Sequence, residues 1–373
     1  MNFEERTYAA WIASAEIPYD SLIPLIHQIK SAEGIYNEFL KSESPVRDFI
    51  QGTAYQRLAS TANEECFSAF QRMLQEHQIQ ILTILEESYP HCLREISDPP
   101  AILFYQGNLS SMKFPRKAAM VGSRSASYAG LKAAHRTAAE LSRSGVSIVS
   151  GLAYGIDTEA HLGCLEGGSP TIAVMGCGLD HTYPSRNDPL KKKIIEKDGL
   201  LISEYAPGTK PIGHHFPYRN RIISGLCDTV ILMEARIRSG SMTTIGHALK
   251  QGKEIYAYPG DPLSQLCDGN HLLLREGAHY FTEAKDILSD MNWLDNKQYV
   301  GQNNVCPSKM LPENGSELAV FKALEKGSLG FDELLAVTGM ASSELLSTLT
   351  VMQIRKMIDP LPGKRYQIRI DSL

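Results

Sequence analysis

The sequence predicts an α/β protein built on a doubly wound parallel sheet, preceded by a small helical domain and followed by a winged helix. Three observations carry this. Between about residues 115 and 290, short apolar segments rich in β-branched residues alternate with stretches of helical periodicity. Those segments lack the polar alternation of a half-exposed strand, as expected when helices cover both faces of a sheet. The chain on either side is helical in pattern, and its carboxyl-terminal part ends in a short strand pair.

Residues 1–85 are rich in Ala, Leu, Ile, Glu and Gln, and SLIPLIHQI and ECFSAFQRMLQEHQIQIL have the apolar spacing of helices. A joining segment covers 86–112, where Pro90, Pro99 and Pro100 block helix and AILFY supplies one strand. From 113 to 291 the order is strand KAAMV, helix YAGLKAAHRTAAELSRSG, strand VSIVS, helix IDTEAHLGCLEGG and strand TIAVMG. It continues with helix DPLKKKIIEKDG, strand LLISE, helix YRNRIISGL, strand TVILME, helix MTTIGHALKQG and strand EIYAYPG. Residues 292–315 are polar and broken by Gly and Pro, which marks a linker. In 316–373, SELAVFKALEKG, FDELLAVTGM and SSELLSTLTVMQIRKMI read as three helices with a Thr-Gly-Met turn between the last two, and PLPGKRYQI as a two-strand wing.

Composition narrows the function classes. No apolar run approaches the ~20 residues of a membrane span, and the acidic start MNFEERTYAAWIASAEIP has no basic n-region, so neither an anchor nor a signal peptide is expected. The seven cysteines (66, 92, 164, 177, 227, 267, 306) never fall as C-x-x-C, which argues against a disulfide framework or a zinc knuckle and for a reducing, cytoplasmic setting. With a net charge of −5, the mean field does not attract nucleic acid. A polyanion site must therefore be a local basic groove.

In an open parallel sheet ligands bind beyond the carboxyl ends of the strands. The residues there are Gly122-Ser123-Arg124, Ser150 to Asp157, Gly176-Cys177-Gly178, Glu204-Tyr205 and Glu234-Ala235-Arg236. Glycines beside helix amino termini offer free N–H groups to phosphate oxygens. Arg124 opens one helix, and Arg219 and Arg221 fall in the first turn of another that starts at Pro217. A cation there loses ~0.3–1 kcal/mol, so three at one sheet edge favour a bound polyanion; the alternative is a structural network with Glu204, Glu234 or Asp157. Phe216 can stack a base or fill the core, and Gly240 and Ser241 head a further helix. His161, four residues after Asp157, reads as packing; His214 and His215 read as loop; Lys191, Lys192 and Lys193 read as a solvated helix face.

Catalytic signatures are missing. GHALKQGKE is not a P-loop, GCGLDH ends in His181 where G-x-G-x-x-G needs its last glycine, and neither H-E-x-x-H nor G-x-S-x-G occurs. No cofactor and no metal are expected.

VGSRSASYAG, IVSGLAYGIDTEAH, AVMGCGLDHTYPSRN, LISEY, FPYRNRIISGL, SGSMTT and YPGD, in this order, resemble the DNA-processing protein A family, also called Smf. The likeness runs from about 90 to 290. It implies an extended Rossmann-like domain, with a sterile-alpha-motif-like helical domain before it and a winged helix after it. It further implies a non-enzymatic homodimer that binds and protects incoming single-stranded DNA in natural transformation and helps load the RecA recombinase. The DNA contacts it implies are Gly122, Ser123, Arg124, the stretch Lys210–Phe216, and Arg219 with Arg221; Asn220, Gly240 and Ser241 complete the candidate set, with Gly151, Gly155, Asp157 and His161 as structural motif. Two departures matter. AEIPYDSLIP lacks the helix-hairpin-helix glycine pair of some relatives, and the recognition helix has no cation before Arg355 and Lys356, which makes Lys364, Arg365 and Arg369 the better DNA candidates and leaves a protein contact equally open. The rival reading is an enzyme like the LOG-type phosphoribohydrolases, which bind a nucleotide at a similar edge, with Glu234 or Glu204 as the carboxylate. Its P-G-G-x-G-T-x-x-E signature is replaced here by SGSMTT.

Overall fold

The computed structural model describes residues 3–41, 43–294, 315–324, 328–354, 357–361 and 365–368, and the chain divides into two units after Lys297. Cys306 and the wing and helix-end cations Arg355, Lys356, Lys364 and Arg369 lie outside the described residues.

The first unit opens with six helices: α1 (Phe3–Ser14), α2 (Tyr19–Ile29), α3 (Ala32–Phe39), α4 (Val46–Phe49), α5 (Gly52–Thr61) and α6 (Glu64–Glu76). Trp11 sits at their centre, fully buried, with Tyr36, Phe39 and Phe67 edge-on around it and its ring N–H donated to Leu58 O at 3.1 Å. Then follow β1 (Gln80–Thr83), α7 (His91–Arg94), β2 (Ile102–Gly107), β3 (Lys117–Val121), α8 (Tyr128–Arg143), β4 (Ser147–Ser150), α9 (Ile156–Gly167) and β5 (Ile172–Met175). The unit ends with α10 (Asp188–Glu196), β6 (Leu200–Ser203), α11 (His215–Gly225), β7 (Thr229–Leu232), α12 (Gly240–Lys250), β8 (Glu254–Ala257), α13 (Asp268–Arg275), β9 (His279–Tyr280) and α14 (Ala284–Asp290).

Nine strands form one sheet in the order β1-β2-β6-β5-β4-β3-β7-β8-β9. The Rossmann-like reading holds from β3 onward, where all pairs are parallel, with Ala119 opposite Val149 on one side and Val230 on the other. Every residue of β3, β4, β5, β6 and β7 is buried, which explains the absence of polar alternation. Helices α8, α9 and α14 cover one face, and α11 and α12 the other.

Two expectations need correction. The end of ECFSAFQRMLQEHQIQIL is not helix: His77 ends α6, and Gln80–Thr83 becomes an edge strand antiparallel to β2, which in turn is antiparallel to β6. Four residues are too few for periodicity to separate strand from helix. The helical segment and the sheet also share one continuous apolar core, running from Ala9 in α1 to Leu273 in α13.

The second unit contains α15 (Gly315–Leu324), β10 (Leu329–Gly330), α16 (Phe331–Thr338), α17 (Ser342–Ile354), β11 (Ile358–Leu361) and β12 (Arg365–Ile368). Gly339, at φ +68°, ends α16 in the left-handed conformation, which gives the Thr-Gly-Met turn its sharp corner. The wing has three strands in the order β10-β12-β11, because Leu329–Gly330 joins the expected pair. Val320, Leu324, Leu334, Leu345, Leu349 and Met352 form this unit's core. Among the described residues no single helix is long and apolar enough to cross a membrane.

Close packing of α8 on α9 depends on Gly163, where a Cβ would meet His135 O and the Ala138 Cβ. Gly246 in α12 faces open space. Thermal melts should therefore move in opposite directions: Gly163→Ala is expected to destabilise by about 1–3 kcal/mol, and Gly246→Ala to stabilise by up to about 1 kcal/mol.

Candidate nucleic-acid interface

From β3 the chain steps through β4, β5 and β6 in one direction, then returns to place β7 on the other side of β3. The strand order reverses between β3 and β7, which opens a crevice beyond their carboxyl ends. A cleft of about 540 Å³ lies there, walled by Gly122 to Ser125, by Phe216, Arg219 and Asn220 of α11, and by Ser239 to Ser241 at the head of α12.

The loop after β3 is fixed in place by backbone bonds. Ser123 N donates to Glu234 O (2.6 Å), Ile156 N to Ser123 O (3.2 Å), and the Ser241 hydroxyl to Gly122 O (2.7 Å). Gly122 is bare because a Cβ would strike Ile156, and Gly155, at φ +75°, because a Cβ would strike Ser123 O. At the amino terminus of α8, where a dinucleotide fold holds pyrophosphate, the Glu234 carboxylate accepts from Ser127 N at 2.6 Å, and Ser127 Oγ caps the helix from Gly130 N at 3.0 Å. Gly130 leaves room for that carboxylate. The helix dipole is thus satisfied internally, and Glu234 is 4% exposed.

Arg124 escapes this locking. It is exposed, and its guanidinium lies 5.4 Å from the centroid of the Phe216 ring. Phe216 in turn packs on Tyr183 with ring centroids 5.1 Å apart, and Gly176 is bare beneath Phe216. Cation and two rings form a ledge at the mouth of the cleft, with Tyr183 43% exposed. Tyr183 was missed by sequence reasoning: it lies in AVMGCGLDHTYPSRN, but nothing in that spacing shows it meeting a residue of α11. Ser123 Oγ accepts from Ser125 N at 3.1 Å, which leaves its own hydroxyl proton to donate. Lys210 is exposed on the segment that leads into α11.

The arginines of α11 stand differently. The helix starts at His215 rather than Pro217, which moves Arg219 and Arg221 into its second turn, where both are buried. Arg219 lies under Gly151 at the cleft floor and donates to Gly151 O (3.1 Å), to Val174 O and to Asn220 Oδ1 (3.2 Å). Burial pulls its pKa down to about 10, against the Asp157 carboxylate that favours its charge. Asp157 accepts from Gly151 N and Ala153 N at 3.1 and 3.3 Å and orders the turn after β4. Arg221 does not line the cleft. It donates to Glu204 Oε1 (2.6 Å) and Asp98 O (2.9 Å) and lies 3.9 Å from the Tyr218 ring centroid, whose hydroxyl reaches Asp98 Oδ2 at 2.7 Å. Burial works against its charge, and Glu204 more than offsets this, so its pKa is raised. The structural-network alternative therefore describes Arg221, while Arg124 is the one of these three arginines left open to a ligand.

Asn220 is half-buried at the cleft wall, its Nδ2 donating to Gly240 O at 3.3 Å, and Gly240 is exposed. The Ser241 hydroxyl is committed to Gly122 O. His161 is not hydrogen-bonded to Asp157: fully buried, it donates from Nδ1 to Thr171 Oγ1 (2.8 Å), whose own proton goes to Ile148 O (2.7 Å), and burial, with Arg219, holds its pKa down to about 3. His215 is not loop but the buried first residue of α11, stacked on Tyr205. Lys191 is not solvated but 8% exposed, and its ammonium ties down the turn after β5 through Leu179 O and His181 O. Arg365 of the wing is partly engaged, 3.3 Å from Glu333. Among the described residues, no group of three or more His, Cys, Asp or Glu is placed to hold a metal.

Comparison with known proteins places the chain among relatives of one family. The family model described as DNA recombination-mediator protein A matches residues 80–292, beginning at β1, and a DprA winged helix model matches 310–364. A DNA processing protein DprA from Streptococcus pneumoniae is 48% identical over 211 residues, 57% of this chain and 74% of that protein. A Synechocystis protein named Smf is 33% identical over 331 residues, 80% of this chain and 83% of that one. Among solved structures, DNA processing protein A from S. pneumoniae superposes with a TM-score of 0.65 at 36% identity, covering 78% of this chain and 98% of that one. DNA processing protein A from Helicobacter pylori, described for its single-stranded DNA binding mode, gives 0.53 at 30% identity over 58% of this chain and 96% of that one.

Chemical denaturation should separate the two kinds of arginine: Arg221→Ala, which strands Glu204 and Asp98, is expected to cost about 3 kcal/mol, and Arg124→Ala to stay within about 0.5 kcal/mol of wild type. His161 gives a pH signature. The unfolded chain takes up its proton near 6.5 and the folded chain only near 3, so stability falls as pH drops through that window. His161→Gln should remove a one-proton component from the slope of stability against pH there.

Proposed function

We propose a function from one premise: the chain belongs to the DNA recombination-mediator protein A family. In this reading the crevice between β3 and β7 binds single-stranded DNA. The observation that carries it is the ledge of Arg124, Phe216 and Tyr183, an exposed cation over the Phe216 ring with Tyr183 packed beside it, at the cleft beyond the sheet's switch point. A guanidinium grips backbone phosphates with its forked donors, and exposed ring faces take bases without regard to their identity. Gly122, Ser123, Lys210, Asn220 and Gly240 supply backbone and side-chain donors around the ledge. Arg219 shapes the floor, and Arg221 holds α11 in position. The single-stranded DNA binding described for the H. pylori protein supports this choice of ligand.

The same reading makes the protein a binder rather than an enzyme. A phosphoribohydrolase needs a carboxylate free at the ligand, whereas Glu234 closes the amino terminus of α8 and Glu204 is bonded to Arg221. We extend the proposal, on the motif resemblance, to protection of incoming DNA in natural transformation, delivery of the strand to RecA, and action as a homodimer in the cytoplasm.

Fluorescence anisotropy with oligo-dT tests the core of this. Affinity should fall with salt at a log–log slope of about −0.7 per neutralised phosphate. Phe216→Ala and Tyr183→Ala should each lose about 1–3 kcal/mol of binding, and nucleoside monophosphates should release no free base. A salt-independent affinity, or release of base, overturns the proposal.

A further inference from the structure

A second basic stretch adjoins in sequence the cleft wall formed by Ser239 to Ser241. Between β7 and α12 the chain runs through Ala235, Arg236, Ile237, Arg238 and Ser239. Arg236, Ile237 and Arg238 are all exposed, Ile237 by half, and among the described residues neither guanidinium has a hydrogen-bond or ion-pair partner. The root of this turn is held hard. Ala235 N donates to Asn270 Oδ1 (2.9 Å), and the fully buried Asn270 returns its amide protons to Leu232, Met233 and Tyr258 carbonyls at 3.1, 3.1 and 2.8 Å. Gly269 N donates to Ala235 O at 2.9 Å, and a Cβ there would collide with Ala235 O. A turn that only had to connect strand to helix would not need so many buried bonds.

Charge points the same way. The two arginines stand just before the amino terminus of α12, where the helix dipole disfavours cations. The first turn of α12 has no acidic residue, no side chain caps it, and Ser239 Oγ is buried without a partner. At α8 the protein supplies its own carboxylate to the helix end; at α12 it supplies none and places two free guanidiniums nearby. The residues of this helix end leave it open to an anion from outside the chain.

We propose that Arg236 and Arg238, with the head of α12, form a second phosphate-binding station, so that a bound single strand crosses the crevice from the Arg124 ledge to the β7 turn. This rests on the DNA-binding reading above and adds residues to it. The test is anisotropy of an oligo-dT long enough to span both edges, across a salt series, for wild type, Arg236→Ala/Arg238→Ala, and a control, Lys197→Ala/Lys250→Ala. The control removes the same charge from exposed positions at helix carboxyl ends, on the opposite edge of the sheet. The expected result is a slope shallower by about 1.4 in the arginine variant, at about 0.7 per phosphate, with roughly tenfold weaker binding near physiological salt, and a control like wild type. Arg236→Gln/Arg238→Gln, with an unchanged melting temperature, should give the same loss with the fold intact. A shallow wild-type slope would sink the DNA-binding reading itself. A steep wild-type slope that the arginine variants leave unchanged, or that the lysine control lowers equally, would sink the second station alone.

Discussion

The architecture of the crevice depends on one carboxylate in an unusual place. Glu234, from the end of β7, occupies the amino terminus of the helix that follows β3. That single contact ties together the two strands on either side of the switch point. It requires a glycine at 130 and aligns Ser123 against the β7 backbone. It also closes the position where this type of fold ordinarily receives a phosphate. With that position filled, an anion has to bind higher and further out, where the surface is open and the groups are side chains rather than a ring of amides.

The arginines divide along the same line. Arg219 and Arg221 face inward and work on the protein itself, one gathering the carbonyls at the ends of β4 and β5, the other joining Asp98, Glu204 and Tyr218. Arg124, by contrast, stands on a ring at the surface. A buried guanidinium surrounded by acceptors gains little from a further anion, because its donors are already used and its desolvation already offset. An exposed one loses only water. A chain with net charge −5 can therefore attract a polyanion only where exposed cations gather; Arg124 lines the cleft, and Lys210, Arg236 and Arg238 are exposed on segments that adjoin its walls in sequence.

Much of the fold was legible because strand and helix periods alternate cleanly from Lys117 to Ala257. Gln80–Thr83 was not: an edge strand of four residues carries no period, and its partner lies some twenty residues on. In the site, glycines and the first arginine could be read from their place after β3, since that place follows from topology. The burial of Arg221 could not, because it depends on Asp98 and Glu204 arriving from distant parts of the chain. Tyr183 escaped for the same reason. The inward turn of Arg219 could not be read either, because it depends on the carbonyls of Gly151 and Val174 at the ends of β4 and β5.

The junction between the helical segment and the sheet has a mechanical meaning. His215, the first residue of α11, stacks on Tyr205 and approaches Glu16, just beyond α1, to 3.3 Å. The next residue along is the ring on which Arg124 rests. In the DNA-binding reading, tension on a strand held at the ledge would pass first into the head of α11, and from there into the apolar core that α1 shares with the sheet. In the DNA-binding reading, the amino-terminal helices would stand as a buttress behind the ledge, although none of them faces the crevice.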